Sequence, residues 1–269
     1  MQAIFEFDGK LDESGVARRI CSSEKRRETM SLLSENRANA DRAFRVVDLT
    51  AVLNDQIPCY PTDPPFTRSW HVLLSEHGFY VSKLQMGAHS GTHVDAPLHF
   101  LGDGFPDVAG MPLQLFMGEA IALERPKQPG EDLAVADLAG ADIRSGDIVL
   151  FRTGWDKRMA SPAFFQDEWP GLQPSLIEEL IRRGVKAIGG DIASVDSPAA
   201  IAAGAPAHKL AGRAGMPIFE ALVNLEQVTG RRFFFLGLPL KLEGGEASPI
   251  RAVALLPNLH PSSNPPQKG

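Results

Sequence analysis

The chain has 269 residues and a mass of 29.1 kDa. Its 43% hydrophobic and 22% charged residues are globular proportions, which excludes wholesale disorder. A formal charge of -6 excludes the basic excess of a nucleic-acid or anionic-membrane binder. Two cysteines, Cys21 and Cys59, cannot build a disulfide framework or a thiolate zinc site, so a reducing cytoplasm is the expected compartment.

Met1 to Asp8 lacks the basic start and apolar block of a secretory leader. Residues 1–43 read as an N-terminal arm, helical over about 24–40 or disordered, because charges crowd a thin apolar stripe of Met30, Leu32 and Leu33. A domain is expected over 44–257, opening with a strand at Phe44 to Leu49. Pro58, Pro61, Pro64 and Pro65 then forbid regular pairing. Residues 70–86 suit strands broken at Gly78, and Gly118 to Glu124 and Asp147 to Thr153 read as buried strands. Gln173 to Gly184 is predicted helical from Leu176, Ile177, Leu180 and Ile181, with Gly184 as its stop. A short strand follows at Val185 to Gly189. Pro217 predicts a helix over Ile218 to Leu225, and Arg232 to Pro239 and Arg251 to Leu256 read as late strands. No apolar run approaches the roughly 20 residues of a membrane span. The Pro/Ser/Asn-rich tail, 258–269, is expected to be disordered. Alternating strands and helices predict an α/β domain around a mixed sheet.

Three of the seven histidines fall between His89 and His99, in Gly-Ala-His-Ser-Gly-Thr-His-Val-Asp-Ala-Pro-Leu-His-Phe. Imidazole and carboxylate are the usual ligands of zinc, manganese or iron. His89, His93, Asp95 and His99 share one parity, so an extended segment points all four the same way. A helix would put Asp95 on the far side from His93, and Pro97 opposes a helix there. Gly91 permits a bend that gathers the imidazoles. Two histidines and a carboxylate leave coordination positions free, as a catalytic metal requires.

The stretch His-Ser-Gly-Thr-His-Val-Asp-Ala-Pro-Leu-His resembles the signature of the cyclase-like metal-dependent hydrolases, which include bacterial kynurenine formamidases and isatin hydrolases. Val47-Asp48-Leu49 with the proline-rich loop, Arg152-Thr153-Gly154-Trp155, Pro239-Leu240-Lys241 and Ser248-Pro249-Ile250-Arg251-Ala252 are similar to further family segments, in the family's order. The resemblance implies an α/β cyclase-like domain with a central mixed, partly closed β-sheet flanked by helices. It implies metal ligands at His89, His93 and Asp95, an acid/base at His99, and a second metal position at His208 and Glu220, twelve residues apart. One or two divalent ions per chain, Zn²⁺ or Mn²⁺, would be bound, and the chain would form a homodimer or homotetramer. An aromatic of the early loop would contact substrate, here Tyr60, where the family pattern has Trp, with Thr62 in place of a Gly. Asp191 and Ser194 match a family Asp-x-x-Ser element and read equally well as a capped turn. Arg251 is expected to be buried and paired with a carboxylate. Trp70, Phe79 and Phe100 are expected in a pocket wall or the core.

The implied activity is hydrolysis of a small amide, cyclic amide or lactone, formamidase-like, with no nucleic-acid or membrane partner. The rivals are an isatin hydrolase or lactonase, a metal-dependent cyclase or dehydratase of secondary metabolism, and a non-catalytic metal binder. The last has no use for His99. The missing Gly-x-Ser-x-Gly elbow disfavours a serine hydrolase.

Overall fold

The computed structural model describes residues 44–257. The arm read at 1–43 and the tail at 258–269 lie outside the described residues. Eleven strands follow one another as β1 (Phe44–Asp48), β2 (Thr67–Val72), β3 (Val81–Gln85), β4 (His93–Asp95), β5 (Met117–Glu124), β6 (Ile148–Arg152), β7 (Ala187–Gly190), β8 (Ile218–Glu220), β9 (Arg232–Leu236), β10 (Ala247–Pro249) and β11 (Val253–Pro257). The helices are α1 (Leu74–His77), α2 (Leu98–Leu101), α3 (Ala163–Gln166), α4 (Pro174–Arg182), α5 (Pro198–Ala202) and α6 (Pro206–Arg213).

Nine strands form one mixed sheet in the order β1-β11-β9-β5-β6-β7-β8-β4-β10. Strands β5 to β8 run parallel, while β9 and β11 on one flank and β4 and β10 on the other are antiparallel. The sheet curls. Thr50, just past edge strand β1, bridges Leu222, just past β8, and Leu49 accepts a hydrogen bond from Val223 N. The period of two sorts the strand side chains. Ala120, Ala122, Ile148 and Leu150 face one core with Phe116, Phe219, Phe233 and Phe235. Ile121, Leu123, Val149 and Phe151 face the other, under Leu176, Ile177 and Leu180 of α4 and Ala207 and Ala211 of α6.

Strand β7 contains Gly189, where a Cβ would lie 2.2 Å from the Phe219 carbonyl oxygen. Only glycine lets β8 come this close. The helix predicted at Ile218 to Leu225 is not formed. Ile218–Glu220 is a strand held between β7 and β4, and positive φ at Ala221 (54°) and Asn224 (60°) turns the chain onward. Here the sheet neighbours on both sides override the helix-start signal of Pro217. Strands β2 and β3 form a separate two-stranded hairpin. Trp70 and Phe79 lie in it, 47% and 55% exposed, and so belong neither to a pocket wall nor to the core. Arg251 does pair with a carboxylate, Asp48, but its side chain is 74% exposed because the pair sits on the sheet's outer edge.

Candidate metal centre and substrate cavity

Strand β4 is three residues long and buried between β8 and β10. The strand period places His93 and Asp95 on one of its faces, and the register sets Glu220 of β8 directly opposite His93. Such cross-strand neighbours stand about 5 Å apart at Cβ. Glu220 is fixed further by Val195 N, which donates to its Oε1 at 2.6 Å. Gly91, with φ of 64°, makes the bend just before β4, and a Cβ there would meet Leu53 Cδ2 at 2.8 Å. That bend brings His89 Nδ1 to 2.9 Å from Asp95 Oδ1. His99 comes from the single turn of α2 after Pro97, and its ring lies 4.2 Å from that of His89. Common parity along an extended segment therefore holds for His93 and Asp95 alone. A bend and a helical turn deliver the other two.

His208 arrives from α6, whose N-terminus is capped from a distance. Ala205 sits at the cap position and has no side-chain acceptor. Buried Asp196 supplies it instead, accepting Ala207 N and His208 N at 3.0 Å each and His208 Nδ1 at 2.7 Å. A carboxylate only accepts, so Nδ1 carries the proton and Nε2 faces inward. There it stands 3.6 Å from Asp95 Oδ2 and 3.5 Å from Glu220 Oε1. His93 repeats the device: its Nδ1 donates to Gly91 O at 2.8 Å, leaving Nε2 3.4 Å from Asp95 Oδ1 and 3.5 Å from Glu220 Oε2.

The six residues His89, His93, Asp95, His99, His208 and Glu220 thus meet at one point. Two compact ligand triads can be drawn among them: His93, Asp95 and Glu220, and His89, Asp95 and His99. His93 Nε2 and both oxygens of Asp95 are buried with no hydrogen-bond partner. Buried polar atoms are rarely left so. Two buried carboxylates ringed by imidazole nitrogens, with the far nitrogens of His93 and His208 already committed, fit a divalent cation.

The electrostatics agree with this fit. Burial pulls the His93 imidazole down, but the charges of Asp95 and Glu220 outweigh it and raise it to about 10. Burial likewise works against the charged His208, which Asp196, Asp95 and Glu220 hold well above the ordinary value. Asp95 is held well below the usual carboxylate range, burial notwithstanding, by His89 and His93. Protons and a cation compete for the same nitrogens. His99 is shifted the other way. Burial lowers it, and the attraction of Asp95 does not restore it.

The cluster opens into a cavity of about 160 Å³. Its outer wall is aromatic and aliphatic: Tyr60, Phe100, Phe165, Ala193 and Ile201, with Thr62, Asp63 and Ser194 as polar members. Tyr60 meets Phe165 and Trp169 edge-on, at 5.7 and 6.4 Å between centroids. Of the Asp-x-x-Ser pair, Ser194 faces the cavity. Asp191 instead accepts Thr153 N, Thr153 Oγ1 and Gly154 N at 2.6–2.7 Å and ties two strand ends together. Sequence reasoning missed Asp196, Phe165 and Ile201. No local pattern marks them, because each reaches the site through a long-range contact.

The Cyclase family model ("Putative cyclase") matches residues 47–197. The kynurenine formamidase of Erythrobacter litoralis is 37% identical over 217 residues, covering 78% of this chain and 93% of its own. The isatin hydrolase of Roseibium aggregatum is 32% identical over 245 residues, covering 79% and 92%. Among solved structures, an isatin hydrolase bound to the product analogue thioisatinate superposes with a TM-score of 0.76 at 26% identity, over 88% of this chain and 100% of that one. The chain belongs to the cyclase family. It is a metal-dependent hydrolase, as the family resemblance of its sequence implied.

Proposed function

We propose that the protein hydrolyses the carbon–nitrogen bond of a small aromatic amide, open-chain as in a formanilide or cyclic as in an isatin, in the cytoplasm. The observation that carries this reading is the juxtaposition of the six-residue cluster with an aromatic-walled cavity large enough for one or two rings. The open-chain and cyclic forms differ in whether the two products stay joined, and the names of the relatives support both. Among the described residues no helix is long and apolar enough to cross a membrane, and the acidic composition gives no reason for a nucleic-acid partner.

His89, His93, Asp95, His208 and Glu220 would hold one or two divalent ions, zinc or manganese by the mixture of nitrogen and oxygen donors. Such an ion supplies Lewis acidity, polarising a carbonyl and bringing water's pKa from about 16 toward 7. Tyr60 and Phe165 grip the ring of the substrate, and Ile201 and Phe100 exclude water around it. His99 borders both the cluster and the cavity, within reach of a leaving nitrogen, and passes it a proton. His99 also stands where a ligand could, so His99→Ala separates the two roles. If it transfers the proton, metal content stays near wild type while turnover of a formanilide falls roughly 10²–10⁴-fold, and that of an activated ester, whose leaving group needs no proton, falls less. Metal lost in parallel with rate makes His99 a ligand and overturns the assignment.

A further inference from the structure

Among the described residues, Asp63 is the one carboxylate of the cavity lining that does not belong to the metal cluster. Its side chain meets only the Thr62 hydroxyl there, at 3.5 Å, the outer limit of a hydrogen bond. No lysine or arginine of the described residues lines the cavity. A half-buried carboxylate with no cation beside it offers its lone pairs to whatever enters.

The chain holds Asp63 in a set place. It closes a tight turn, Tyr60-Pro61-Thr62-Asp63, in which Asp63 N donates to Tyr60 O at 2.9 Å. Pro61 stands at the second position, where its fixed φ suits a turn. The Cys59 thiol donates to Asp63 O at 3.3 Å. Pro64 follows, and its carbonyl oxygen accepts Gly87 N at 3.2 Å. A Cβ on Gly87 would meet Pro64 Cδ at 3.3 Å, so glycine lets the turn lie close against the segment that carries His89 two residues on. Asp63 and the metal cluster therefore face one cavity from two segments that are tied together. The same turn delivers Tyr60, whose ring packs edge-on against Phe165 and Trp169.

The cavity has two unlike poles. At the inner pole, imidazoles and carboxylates fit a divalent cation, and an amide carbonyl belongs beside it. At the outer pole stand the Asp63 carboxylate, the Thr62 hydroxyl and the rings of Tyr60 and Phe165. Aromatic rings and a carboxylate both attract an ammonium group. A second carboxylate would meet like charge at this pole and no cation.

We propose that Asp63 determines specificity by receiving a protonated amine on the substrate ring, so that the preferred substrate is an aromatic amide with an ammonium-bearing arm and no free carboxylate. This assignment rests on the hydrolase reading and narrows its substrate class. No bond breaks at Asp63. Its charged hydrogen bond positions the ring, with the amide turned toward the metal cluster.

The test uses the metal-loaded full chain and three formanilides that differ only in the para substituent: ethyl, aminoethyl and carboxyethyl. Wild type should hydrolyse the aminoethyl compound with kcat/KM about 10–100-fold above the ethyl compound, the weight of one hydrogen bond to a charged group. The carboxyethyl compound should fall below both. The difference should lie in KM, since the arm is remote from the reacting bond, and should shrink with added salt. In Asp63→Asn the ratio of aminoethyl to ethyl should fall toward one. In Asp63→Lys the order of the two charged compounds should reverse. Calorimetric titration with phenethylamine, which has no amide, reads the same pole without hydrolysis, and Asp63→Asn should weaken its binding about 10–100-fold. Equal hydrolysis of the ethyl and aminoethyl compounds by wild type overturns the role of Asp63 and leaves the hydrolase reading standing. So does an aminoethyl preference or a phenethylamine affinity that persists in Asp63→Asn, which would assign the selection to the aromatic rings. Hydrolysis of none of the three overturns the hydrolase reading and the substrate class with it.

Discussion

Replacing Asp196 should weaken metal binding at His208 although Asp196 is not itself one of the six residues of the metal cluster. The carboxylate receives three donors: Ala207 N on Oδ1, and His208 N and Nδ1 on Oδ2. In Asp196→Asn one oxygen becomes an amide NH₂. Placed at Oδ1, it faces the Ala207 N–H donor to donor. Placed at Oδ2, it faces two donors. The first is the milder outcome and leaves one buried donor unpaired, a cost of about 1–3 kcal/mol. The bond to the His208 ring survives but is no longer charge-assisted, so the imidazole is held less firmly in the tautomer that turns Nε2 inward. Changes in this outer layer typically cost 10–100-fold in metal affinity. Asp196→Ala removes all three acceptor contacts and should destabilise by about 3–5 kcal/mol. Urea unfolding of the metal-free variants gives the stability, and competition with a chromophoric chelator gives the affinity. An Asp196→Asn protein that binds metal as tightly as wild type would refute the orienting role of Asp196.

Two further outcomes are expected. Burial raises the Asp191 carboxyl to about 6, against the hydrogen bonds from Thr153 and Gly154 that lower it, whereas the unfolded chain titrates near 3.9. Between these values the folded state holds the extra proton, so its contribution falls as pH rises through about 4–6, by about 2–3 kcal/mol. The unfolding free energy of wild type minus that of Asp191→Asn should drop over this range, and a flat difference from pH 4 to 7 would mean the three hydrogen bonds keep Asp191 ionised. Phe165→Ala should lower kcat/KM for a formanilide about 5–30-fold, mainly through KM, from the lost ring contact, with little change for an alkyl formamide. Equal losses on both substrates would remove Phe165 from the ring-binding wall.

The legible part of the site was the part built on a short repeat. His93 and Asp95 are two apart on a strand, and the period of two makes their common face readable from spacing alone. His89 and His99 share that parity but reach the centre by the positive φ of Gly91 and the turn of α2, neither of which parity encodes. His208 and Glu220 were recognisable through family resemblance, not through local pattern: β8 is three residues long, and its neighbours β4 and β7 come from distant parts of the chain. α6 hid because its cap is Asp196, nine positions before the cap residue Ala205. The parallel strands β5 and β6 were plain as apolar runs, as strands covered on both faces should be. That the β2–β3 hairpin is separate from the nine-stranded sheet is a fact of tertiary packing, and its apolar residues look the same in sequence whether they face a core or solvent.

The central claim is that a divalent ion held at the meeting of β4, β8 and α6 carries the hydrolysis. The direct measurement is metal content by mass spectrometry, taken together with formanilide hydrolysis, for the wild type and for His93→Ala, each after chelation and after Zn²⁺ or Mn²⁺ is returned. The wild type should lose activity on chelation and recover it with metal, while His93→Ala, folded by circular dichroism, should hold less metal and stay inactive under both conditions. Undiminished metal content in His93→Ala, or wild-type hydrolysis that survives complete removal of the metal, would contradict the claim.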